Sequence, residues 1–167
     1  MAINPYEPPR AAAAPPSIVT TTDDDLALLT PPTGARIAAA SALVGGLFWV
    51  VLAFQTSLSF RVVSALTIAL VSSMLTVGAG QLVGAAWLRR MRARGAVVLV
   101  ASSAFGLLLA AFWLVYAMAH GVLALVALLQ LPLSAATATF GGISLAPARR
   151  ADEARARLRS TGFESSF

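Results

Sequence analysis

Between Ile37 and Leu145 the chain carries one island of charge, Arg89-Arg90-Met91-Arg92-Ala93-Arg94, and a single further ionised residue, Arg61. Four arginines in hydrocarbon would cost ~2.5–3.5 kcal/mol each, so this loop must lie in water. It divides the apolar region into two halves and fixes the side of a membrane on which each starts and ends. Only 11% of the 167 residues are charged and 58% are hydrophobic. A soluble domain of this size carries about 25% charge, so the solvent for most of this chain is lipid. The fold class that follows is all-α: an integral membrane four-helix bundle made of two transmembrane hairpins.

The spans are expected at 37–54, 62–88, 96–119 and 122–145, within a transmembrane domain over 36–146. At about 18 residues the first is just long enough to cross, and the second has length for tilt. Gln55 to Arg61 reads as a short polar turn. His120-Gly121 reads as a tight reversal that glycine permits. Residues 147–167 form a basic tail, with a short helix from Arg149 to Arg159 closed by Gly162. Its four-residue spacings offer Arg149–Glu153 and Glu153–Arg157 pairs. Ala151, Ala154 and Leu158 give it a thin apolar stripe, and it is expected to lie on lipid headgroups or to stand in water.

With four spans, both tails share a side with the arginine loop. Eleven arginines, including the anchors Arg89, Arg90, Arg92, Arg94, Arg149 and Arg150, fall on that side, and Arg61 alone on the other. This asymmetry predicts a bacterial inner membrane protein with both termini in the cytoplasm. Trp87, beside the loop, suits an interfacial anchor, while Trp49, Phe112, Trp113 and Tyr116 are expected toward the outer ends. The net charge of +5 is read as contact with anionic lipid headgroups and not with nucleic acid.

Residues 1–35 are rich in Pro, Ala and Asp and are expected to be a disordered cytoplasmic tail. A turn capped by Thr22 and ended by Pro31-Pro32 is the ordered alternative for Asp23-Asp24-Asp25. The opening Asn4-Pro5-Tyr6-Glu7-Pro8-Pro9-Arg10 resembles the tails of small, uncharacterised bacterial four-span membrane proteins, a resemblance that implies no activity. Pro5, Pro8 and Arg10 also match a polyproline ligand pattern. A signal peptide starts with a short basic region, unlike this long acidic tail. Val51-Leu52-Ala53 is the cleavage site that such a reading would use.

Helices in lipid associate where small residues let backbones approach. Ser72, Thr76, Gly80 and Gly84 recur every fourth position, as do Ser102, Gly106 and Ala110, and Ala38, Ala42 and Gly46. These faces are expected against neighbouring helices or a second subunit. Pro132 is expected to kink the fourth span, with Gln130, Ser134 or water serving the freed Leu128 carbonyl. Two strings recur at offsets of 64 and 63: Phe48–Ala53 with Phe112–Ala117, and Thr76–Leu82 with Thr139–Leu145. A duplicated hairpin gives this pattern, and so does chance in a small apolar alphabet.

The chemistry is mostly excluded. There is no cysteine and one histidine, which removes disulfide, thiolate and paired-histidine haem chemistry. No Asp or Glu lies within a span, so the chain lacks the membrane carboxylate around which small multidrug exporters and other proton-coupled carriers are built. Ser72, Ser73, Ser102 and Ser103 have no partner base. Gln81 and Gln130, placed inward and outward of their helix centres, are expected to bond separate neighbours. No catalytic, cofactor-binding or metal-binding residue is assigned. The expected role is a non-catalytic accessory, scaffold or assembly protein, self-associating or docked to a larger membrane complex. A small channel, holin-like pore or uncoupled carrier is the alternative.

Overall fold

A computed structural model of the protein describes residues 18–59, 64–120 and 124–160. The Asn4–Arg10 motif, Arg61, Gly121 and Gly162 lie outside them. The described residues are 93% helical with no strand. The order is α1 (Ile18–Leu28), α2 (Thr33–Ser59), α3 (Ala65–Arg89), α4 (Ala93–His120), α5 (Ala124–Ile143) and α6 (Leu145–Ser160). Three helices are long and apolar enough to cross a membrane, or four if α5 and α6, which meet at 46°, count as one broken span. At ~1.5 Å per residue, α2 extends about 40 Å and α5 about 30 Å, the latter matching a hydrocarbon core of about 30 Å.

Several boundaries differ from expectation. The first span is longer: α2 starts at Thr33, where the prolines stop, and runs through Gln55–Ser59, the expected polar turn. Apolar length had set the expected end, but helix propagation continues until a breaker intervenes. The acidic stretch is helical, not disordered, and α1 begins at Ile18, so the helix starts four residues before Thr22. Pro31-Pro32 separates α1 from α2 as expected. Ser64 caps α3, accepting from the Thr67 N–H at 3.2 Å. Pro132 sits inside a continuous α5. The marked bend comes at Ser144, between α5 and α6, so Pro147 falls in the first turn of α6 and does not start a new element.

The helices α2, α3, α4 and α5 form a closed ring, each packed on two neighbours, α2 against α5 closing it. Two apolar clusters fill its interior. One, toward the arginine loop, joins Ala35, Ala38, Ala39 and Ala42 to Leu88, Met91, Leu99 and Ala148. The other, toward the far end, joins Trp49, Ala53, Met74, Val77, Leu109 and Ala110. Alanine dominates the first, to which α6 adds Ala148 and Ala151.

α6 corrects the headgroup and solvated readings of its stripe. Ala148, Ala151, Ala154 and Leu158 are buried, and the helix packs on α1 and α4. Its expected Arg149–Glu153 and Glu153–Arg157 pairs give way to Arg155–Asp152 at 2.9 Å and Arg157–Asp25 at 2.7 Å. Folding α6 down brought a carboxylate from α1 within reach of Arg157, and Glu153 is left adding a weaker Coulombic pull.

Candidate functional site

Two features organise the molecule: a polar layer across the middle of the ring, and a folded platform at its arginine end.

Gly46, Val77, Gly106 and Ser134 are the middle residues of α2, α3, α4 and α5. The helices close tightly there. A Cβ placed on Gly46 would meet the Gly78 carbonyl oxygen at 3.0 Å, and one on Gly78 would meet the Gly46 oxygen at 2.9 Å. Gly80 faces Ser102 and Gly84 faces Leu99 with no room for a methyl. A Cβ on Gly106 would meet Val77, the Ser134 hydroxyl and the Trp49 indole nitrogen within 3.4 Å. Ala110 is buried. The lower half of the α3 stripe and the whole α4 stripe therefore pack within the chain, whereas Ser72 and Thr76 are exposed, and Thr76 returns its hydroxyl to its own helix at the Ser72 carbonyl.

Between the two apolar clusters the ring is polar. Gln81 is 1% exposed, and Ser103, Gln130 and Ser134 are fully buried. Gln130 Nε2 donates to the Gly45 carbonyl at 3.1 Å, across to α2. Gln81 reaches the same glycine from the opposite side: a Cβ on Gly45 would meet its Oε1 at 2.9 Å and Gln130 Nε2 at 3.8 Å. The two glutamines approach the same glycine without bonding each other: Gln130 bonds a neighbouring backbone, as expected, whereas Gln81 has no partner among the described residues. Below this layer Thr137 Oγ1 lies 3.0 Å from Ser41 Oγ and 2.8 Å from the Leu133 oxygen.

The layer is not internally satisfied. Trp49 Nε1, both amide atoms of Gln81, Ser103 Oγ, Gln130 Oε1 and Ser134 Oγ are buried without a hydrogen-bond partner, as is Trp113 Nε1. An unpaired polar group in an apolar interior costs several kcal/mol. All four ring helices contribute one. Sequence reasoning treated Gln81, Gln130 and Ser103 separately and put Trp49 at an outer end, yet Trp49 is 1% exposed in the core. A signal existed: Ser41, Gly45 and Trp49, and Gln130, Ser134 and Thr137, each recur at helical spacing on one face. Trp113 lies toward the end of the ring away from the arginine turn, with Tyr116 set edge-on at 5.6 Å, beside an apolar cleft of about 430 Å³ between α3 and α4.

No family model, curated protein or solved structure matches the chain. The reading of its sites rests on their geometry.

The platform is built around the α3–α4 turn. Trp87 O accepts from Arg92 N at 3.1 Å and Leu88 O from Met91 N at 2.8 Å, a Schellman closure of α3. Met91 takes the left-handed conformation, φ 50°, where glycine is usual. Its side chain, 1% exposed, plugs the alanine-rich cluster and holds it there. The loop is therefore not uniformly solvated: one methionine is anchored inward among outward arginines. Asp152 of α6 caps α4, its Oδ2 accepting from Ala93 N at 2.8 Å. Arg155 donates to the Met91 carbonyl at 3.0 Å and also to the Arg90 carbonyl. Arg157 binds Asp25 through two nitrogens, and its guanidinium holds the Asp25 carboxyl below its usual range. Arg89, Arg90, Arg92, Arg94, Arg149 and Arg150 stay exposed. Among the described residues no group of His, Asp or Glu is arranged to hold a metal.

Proposed function

We propose that this is a four-span bacterial inner membrane protein with both tails in the cytoplasm. It acts without catalysis, as an accessory or scaffold subunit that self-associates or docks into a larger membrane complex. The observation that carries this reading is the platform. α1, the α3–α4 turn and α6 are tied together by cross-element hydrogen bonds, and they present six exposed arginines on one rigid end. Eleven arginines on that side against Arg61 opposite support the orientation. The lack of an acidic residue between Arg36 and Arg149 argues against proton coupling. Purification in mild detergent tests the role: a stoichiometric partner or a discrete oligomer is expected, and a lone monomer throughout overturns it.

Permeation is the second reading, and the unpaired polar layer is what favours it. Its path would run past Gln81, Ser103 and Ser134, not along the Ser72–Gly84 face. The chain has no native cysteine, so a single cysteine at Ser134 reports cleanly. Modification by a membrane-impermeant thiol reagent supports a water path, and an inert Ser134→Cys excludes one.

A further inference from the structure

The α3–α4 turn, the start of α4 and α6 border an open cavity of about 450 Å³ lined by Arg92, Arg94, Asp152, Arg155, Ala156 and Arg159. We propose that it binds a phosphate group, borne by the headgroup of an anionic lipid or free in solution.

The electrostatics favour an anion. Four guanidinium groups face one carboxylate. Both oxygens of that carboxylate are engaged, Oδ1 by Arg155 and Oδ2 by the α4 N-terminus at Ala93. Asp152 is thus a strut of the wall. Arg155 is half-buried and held by the Met91 and Arg90 carbonyls, so its charge is fixed in place. Arg155 and Arg159 stand four residues apart on one face of α6, across the cavity from Arg92 on the turn and Arg94 in the first turn of α4. An arginine fork matches phosphate oxygens two at a time, and Arg92, Arg94 and Arg159 bring theirs to the cavity beside the fixed charge of Arg155. The cavity is far larger than a bare phosphate needs, which leaves room for the glycerol of a headgroup. The lipid source rests on the orientation proposed above, which puts this end at the phosphates of the inner leaflet. The phosphate chemistry does not depend on it.

The full-length protein in a neutral detergent provides the test. Short-chain phosphatidylglycerol, phosphatidylcholine and inorganic phosphate are titrated separately while thermal unfolding is followed. Phosphatidylglycerol is expected to raise Tm saturably, with phosphatidylcholine far weaker. Arg92→Gln with Arg159→Gln should raise the half-maximal phosphatidylglycerol concentration about tenfold. Arg89→Gln with Arg150→Gln removes equal charge outside the cavity and should leave it unchanged. Arg92→Lys with Arg159→Lys, expected to fold and to keep partial binding, guards against a misfolded double variant. If millimolar inorganic phosphate raises Tm or displaces the lipid, the free ion is a ligand; if only the lipid acts, the headgroup is. Equal weakening by both glutamine pairs means diffuse charge attraction and overturns the site, as does the absence of any Tm change with either phosphate probe. A wrong orientation would appear in topology reporters and would leave these detergent measurements untouched.

Discussion

Arg157 Nη2 in α6 lies 2.7 Å from Asp25 Oδ1 in α1, joining residues 132 positions apart. The pair is the tie between the first and last described helices. Hydrogen bonding to Arg157 holds the Asp25 carboxyl below its ordinary 3.8, so this contribution is complete at neutral pH. It begins to shrink as pH falls below 3.8, where the unfolded chain takes up the proton first, and is gone once pH drops through the lowered value. Asp25→Ala should therefore speed hydrogen exchange across Ile18–Leu28 at pH 7 and leave α3 and α4 unchanged. Unchanged exchange in α1 would show that the tie holds nothing.

Asp152 caps a helix that is not its own. Asp152→Ala removes the acceptor for Ala93 N and the partner of Arg155. A cap loss of ~1 kcal/mol is expected, read as a lower SDS midpoint for unfolding. Met91→Ala should cost more, about 2–5 kcal/mol, because it empties a buried site. Met91→Gly should recover about 1 kcal/mol of that by relieving the left-handed backbone.

The reciprocal contact between Gly46 and Gly78 predicts that Gly78→Ala destabilises by about 1–3 kcal/mol, since a backbone oxygen cannot step aside. Gly142→Ala is the control. Nothing lies within 4 Å of its Cβ position, and the change should be neutral or stabilise by up to ~1 kcal/mol.

Gln81 and Gln130 should behave oppositely. Both amide atoms of Gln81 are buried and unpaired, so Gln81→Leu should stabilise by ~1–3 kcal/mol if the layer is dry. Gln130→Leu gives up its bond to Gly45 and should cost ~0.6 kcal/mol. Loss of stability in Gln81→Leu would instead indicate a hydrated layer, the condition for permeation.

Reporter fusions after Arg94 and after Phe167 should both report cytoplasm, and one after His120 should report the opposite side. An Arg94 fusion on the outer side would overturn the orientation.

The helical character and the apolar segments were legible from charge alone, because an arginine loop and long uncharged runs leave few alternatives. The approach of Gly80, Gly84 and Gly106 to their neighbours was legible from four-residue spacing. The Schellman turn was not, since Met91 occupies a position that sequence rules reserve for glycine. Neither was the docking of α6: its stripe of alanines is too weakly apolar to announce burial, and Asp152 and Arg155 act on partners 59 and 64 residues away. The convergence of Gln81 and Gln130 on Gly45 depended on side-chain reach across the ring, which spacing along one helix does not encode.

The cap that Asp152 places on α4 has a consequence for biosynthesis. The α6 residues that finish the arginine end are translated after the four ring helices. Until α6 emerges, the Ala93 N–H and the Arg90 and Met91 carbonyls lack these partners, and the alanine surface that Ala148 and Ala151 cover stays bare. A chain halted before Leu145 would display an unfinished arginine end, with bare alanines and backbone groups awaiting their partners. Closure of that end therefore waits on a helix made after the ring it closes.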